Sequence, residues 1–139
     1  MGLIAAEPLK GTTMSNRAII AATKPLDLTI TLQQFEDAAE DWGPHATLGP
    51  DVDFEADAVI LVERPGEAAF QIFHPMGEDM ILTAGTAQQI AEVAVWTVES
   101  FPLSGPSQLW LTDEEYTGHT VLRPGMSVDE VWSAWETHA

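Results

Sequence analysis

Three segments of the chain carry the same helix-start chemistry. Thr31-x-x-Gln34, Thr86-x-x-Gln89 and Ser127-x-x-Glu130 each place a hydroxyl three residues ahead of a side-chain amide or carboxylate. The hydroxyl accepts from the third residue's N–H, and that residue's side chain accepts from the capping residue's own N–H, so two orphan donors are satisfied together. Three helices therefore have fixed beginnings, and the stretches between them must fold as something else.

The first helix is predicted over Leu32 to Trp42, with Leu32, Phe35, Ala38, Ala39 and Trp42 on one stripe and Glu36, Asp37, Glu40 and Asp41 beside or opposite it, closed by Gly43-Pro44. The last helix is predicted over Val128 to Thr137, with Val128, Val131, Trp132 and Trp135 inward and Asp129 and Glu130 at its positive end. The middle helix, Ala87 to Ser100, is different. Ile90, Ala91, Ala94 and Val98 form one face, while Val93, Val95 and Trp96 spread the apolar surface past it, leaving Gln88, Glu92 and Glu99 as a narrow polar edge. Such a helix is either covered on two sides within its domain or turns its second face to another chain. Trp96, off the main apolar face, is the candidate anchor for that second use.

Strand-like runs fill the intervals: Ala58 to Val62, Ala69 to Phe73, Met80 to Thr83, Gln108 to Thr112 and Thr120 to Leu122, with Leu26 to Ile30 a candidate edge strand. Arg64-Pro65-Gly66 and Arg123-Pro124-Gly125 have the Pro-then-Gly order of a type II turn. The first three runs are closely connected and read as an antiparallel meander. The expectation is an α+β domain in the order α-β-β-β-α-β-β-α, with an antiparallel sheet of about five strands and about three helices packed on one or both of its faces.

The 139 residues fit one domain, and 45% hydrophobic content is enough for a core. With no cysteine, there is no disulfide framework, thiolate metal site or cysteine nucleophile. Residues 1–25 read as a flexible basic N-terminal arm and residues 26–139 as a single acidic domain. Lys10, Arg17 and Lys24 lie in the arm, and Met14 is a second candidate start. The apolar pieces of the arm are too broken for a signal peptide, and no run reaches membrane-spanning length, so a cytoplasmic protein is expected.

Of 22 Asp and Glu only Glu7 precedes residue 26, and after that point the only Lys or Arg are Arg64 and Arg123. A body this acidic repels nucleic acid and anionic membrane and attracts cationic proteins. The anomaly is missing bases more than excess acids, because only 19% of residues are charged. High-salt adaptation explains that poorly, whereas a cationic partner would use all of it.

Motifs for chemistry are sparse. Asp51, Asp53, Glu55 and Asp57 alternate like the opening of a calcium loop, but Ala56 and Val62 stand where such a loop needs Gly and Glu, so the row reads as a solvated strand face or as a surface for a partner's cations. Asp113, Glu114, Glu115, Tyr116 and His119 form the densest polar cluster. A metal or acid–base site would use Asp113, Glu115 and His119, with His74 as a further candidate, while the alternative is a polar turn around Gly118. Nucleophile elbows, phosphate loops and dinucleotide fingerprints are missing, and no cofactor is implied.

Thr86-Ala-Gln-Gln-Ile-Ala-Glu-Val-Ala-Val-Trp96, the Leu109-Trp110-Leu111 strand and the turn from Arg123-Pro-Gly-Met-Ser-Val-Asp-Glu130 into a helix give a layout over residues 26–137 that resembles the immunity proteins of bacterial polymorphic toxin systems. That resemblance implies an inhibitor that occludes one cognate toxin, such as a nuclease, with no catalytic residues and no cofactor of its own. The surfaces then expected to meet the partner are Glu36, Asp37, Glu40 and Asp41; Asp51, Asp53, Glu55 and Asp57; Trp96; and Asp113, Glu114 and Glu115. Two readings stand beside it: a small enzyme built on His119, and a homo-oligomeric subunit, a homodimer joined through the middle helix.

Overall fold

The computed structural model describes residues 16–50, 56–105, 107–113 and 119–138. All three capping boxes close. Gln34 N–H donates to Thr31 Oγ1 at 3.1 Å while Thr31 N–H donates to Gln34 Oε1 at 2.8 Å. The same reciprocal pair forms at Thr86 and Gln89, with 3.1 and 2.9 Å, and at Ser127 and Glu130, with 3.1 and 2.8 Å. These caps open α1 (Leu32–Ala38), α2 (Ala87–Ser100) and α3 (Val128–His138). The α-helical geometry of the first helix ends earlier than Trp42. It tightens into a 3₁₀ turn, Ala39–His45, broken at Gly43, whose φ of 78° suits glycine and precedes Pro44.

The domain is α+β, with one antiparallel sheet of seven strands, two more than expected. The strands are β1 (Asn16–Ala22), β2 (Ala46–Gly49), β3 (Ala58–Val62), β4 (Phe70–His74), β5 (Met80–Gly85), β6 (Leu109–Asp113) and β7 (His119–Leu122), in the spatial order β2-β3-β4-β5-β1-β6-β7. The meander is present as β3-β4-β5, extended by β2 at the edge.

The arm needs correction. Residues 16–22 form an interior strand of the sheet, with Ile19 opposite Leu82 of β5 on one side and opposite Thr112 of β6 on the other. Ala18, Ile19 and Ile20 are all buried, because a central strand is enclosed by neighbours on both edges. Residues 26–30 add no edge strand. Pro25 starts a 3₁₀ turn, Pro25–Asp27, and the chain then crosses extended, burying Leu28 and Ile30.

Alternation along the strands settles where the helices lie. Ile20, Ile60, Ile72, Ile81, Leu111 and Leu122 point to one side and join Ile90, Ala94, Val131 and Trp135 of the helices in a single core. The helices thus cover one face of the sheet. α2 is enclosed from two directions, by the sheet and by α1, the 3₁₀ turn and α3, which accounts for its wide apolar surface.

Trp96 is therefore no exposed anchor. It is 7% accessible, its indole N–H donates to the Ala38 carbonyl at 3.2 Å, and its ring lies within 6.2 Å of Phe35, 5.7 Å of Trp42 and 5.3 Å of Phe101, centroid to centroid. A homodimer through the middle helix loses its structural basis for the same reason. Trp96→Ala is expected to lower stability in urea unfolding by about 3–5 kcal/mol, the range for a buried aromatic truncated to alanine. A change within about 0.5 kcal/mol, as at an ordinary surface position, would contradict the burial.

Candidate functional site

Charge is distributed by layer. α1 with its 3₁₀ turn holds Glu36, Asp37, Glu40 and Asp41, α2 holds Glu92 and Glu99, and α3 holds Asp129, Glu130 and Glu136, with no Lys or Arg in any of them. Asp113 is the only Asp or Glu within any of the seven strands. The reason is local: each amphipathic helix turns its apolar stripe to the sheet, so its polar residues are delivered to the opposite surface.

A groove of about 460 Å³ runs between the 3₁₀ turn, α2 and the start of α3. Asp41, Glu92 and Glu99 line it with carboxylates, and Trp42, Val95 and Trp96 give it an apolar lining. Such a groove suits a lysine or arginine side chain, whose methylenes pack on the indoles while the charge meets the carboxylates. Trp42 Nε1 is buried there with no acceptor among the described residues.

Two cations of the chain border this layer: Arg123 shares one pocket lining with Glu99 and another with Asp129 and Glu130, and Arg64 reaches Glu92. Arg64, beside the β3–β4 turn, donates to Glu92 at 3.0 Å and to Glu67 at 2.9 Å, with its guanidinium 5.2 Å from the centre of the Phe70 ring. Burial works against its charge, but the hydrogen bonds and charges of Glu92 and Glu67 outweigh that and hold the guanidinium above the ordinary arginine value. Glu92 is thus partly neutralised, Glu99 shares a pocket lining with Arg123, and Asp41 lines the groove from the 3₁₀ turn.

The expected site residues are distributed unevenly around this groove. Asp41 lines it; Glu36, Asp37 and Glu40 share its helical layer; Trp96 lines it only from within the core. Asp51, Asp53, Glu55, Glu114 and Glu115 lie outside the described residues. Asp113 ends β6 on the helix side of the sheet, whereas His119 starts β7 on the opposite side, with its ring stacked on Trp110 at 3.9 Å and 15°. Among the described residues no group of three His, Asp or Glu could hold a metal ion. Glu99 and Glu92 are the contributors that sequence reasoning missed, although their polar edge on the middle helix was the available signal.

Asp57 has a different role. His74 is fully buried, its Nε2 donates to the Ile30 carbonyl, and its Nδ1 meets Asp57 Oδ1 at 2.5 Å, with Asp57 N–H also donating to the His74 carbonyl at 3.0 Å. Because Nε2 already carries a hydrogen, the Asp57 bond must hold a proton whichever group owns it. The imidazole has no nitrogen left for a substrate and lies on the opposite side of the sheet from His119, so it fastens the 26–30 crossover to β4 and cannot join a catalytic cluster with His119.

Asp57→Ala is expected to cost about 1–3 kcal/mol by leaving a buried ring nitrogen unpaired. Asp57→Asn should recover most of that loss, since its amide can donate to the unprotonated Nδ1. Equal losses for the two variants in chemical denaturation would contradict the bond. Set against protein-family models, curated proteins and solved structures, the chain matches none.

Proposed function

We propose that this chain is a non-enzymatic binding protein that captures a cationic protein on its acidic helical layer, acting as an immunity-type inhibitor of a toxin such as a nuclease. One observation carries the reading: nine Asp and Glu and no Lys or Arg in the sequence of α1 with its 3₁₀ turn, α2 and α3, three of which, Asp41, Glu92 and Glu99, line a groove that also has an indole lining. Long-range attraction brings the basic surface in, and the groove then takes one of its lysine or arginine side chains. Occlusion of a basic cleft needs no catalytic group from the inhibitor, only a surface of opposite charge.

The test is capture of partners from native lysate on the tagged chain, run in parallel with Asp41→Asn/Glu99→Gln. A basic protein should be held at low salt and released at high salt, and the double variant should weaken its binding by about tenfold, mainly by slowing association. Retention of the same proteins irrespective of salt and of the two carboxylates would refute the reading.

A further inference from the structure

Helices cover one side of the sheet, and the other side has an unusual composition. In antiparallel sheets with one covered face, outward positions are ordinarily polar. Here Val59, Phe73, Leu82 and Ile19 stand side by side from β3 across to β1, in register, and Trp110 and Val121 pair across β6 and β7. None of the six belongs to the core beneath the helices. Ile19 is buried by its neighbours at 8% accessibility, and the other five are half-buried.

The second observation is electrostatic and independent of the first. In a chain of net charge −17, the outward positions of all seven strands carry no carboxylate, and Arg17 is their only formally charged residue. Glu63, one residue past β3, stands at the rim. A cationic partner is drawn to the helical layer and finds no carboxylate among these strand positions.

We infer that the outer face of the sheet is a self-association surface on which a second copy of the chain packs sheet against sheet. A second copy brings an equally apolar face free of carboxylates, and the two acidic helical layers end outermost, separated by two sheets about 10 Å apart. Seven strands at about 4.8 Å spacing and about five residues of about 3.4 Å rise give a face of about 500 Å² per copy. A pair then removes about 1,000 Å² from water, at the lower limit of a specific interface and well short of an obligate dimer. The association is therefore a concentration-dependent equilibrium, and it leaves both grooves open.

Sedimentation of the full chain over a wide concentration range tests this. The mass should rise from 15.1 kDa toward twice that value, and added salt should favour the dimer by screening the repulsion between two acidic chains, the opposite of its effect on a cationic partner. Leu82→Glu should weaken the dimer by about a hundredfold or more, because it buries an unpaired charge. Phe73→Ser, which adds no charge, should weaken it by about tenfold, and thermal unfolding verifies that both variants are folded. A monomer at every concentration and salt, a dimer indifferent to both substitutions, or a dimer dissolved by salt would each overturn the inference. So would a monomeric wild type whose capture of a basic protein is lost in Leu82→Glu, because the face would then belong to that partner.

Discussion

The fold depends on one strand. β1 is hydrogen-bonded on both edges, to β5 and to β6, and it is the only link in the ladder between the β2–β5 meander and the β6–β7 hairpin. Its inward residues, Ala18, Ile20 and Ala22, enter the core, and α2 packs over it and over β5. Small inward side chains let the helix approach the sheet closely, and Ala91 and Ala94 on α2 do the same from the other side. Because β1 meets partners 59 to 95 residues away, the sheet closes only after large loops have been ordered.

The helices were legible because their starting signals are local. A hydroxyl and an amide three residues apart find each other whatever surrounds them, and all three pairs do so. The meander and hairpin were legible from β-branched and aromatic runs between turn residues. β1 was not, for a physical reason: Ala18-Ile-Ile-Ala-Ala22 is apolar on both sides and alanine-rich, so it has neither alternation nor strong strand propensity. β2 has only four residues between two prolines.

The site was half legible. α1 announces its carboxylates in sequence, but the groove exists only once the 3₁₀ turn and α2 bring Asp41, Glu92 and Glu99 together. Trp96 shows the limit of pattern reading. A helix covered from two sides and a helix facing a partner have the same spread of apolar residues, and only the packing of Phe35, Trp42 and Phe101 around the indole separates them.

The sheet has two unlike faces. Amphipathic helices are rich in carboxylates, while the outward positions of the strands carry none, and the two associations proposed above rest on that difference and are expected to respond to salt in opposite directions. The most direct measurement is an amide chemical-shift titration of the full chain with oligolysine, a probe with charge and no shape. Shifts confined to residues 36–45, 92–99 and 128–133, and reversed by salt, are expected. Shifts centred on the strands, or spread evenly over the surface, would contradict the separation of the two faces.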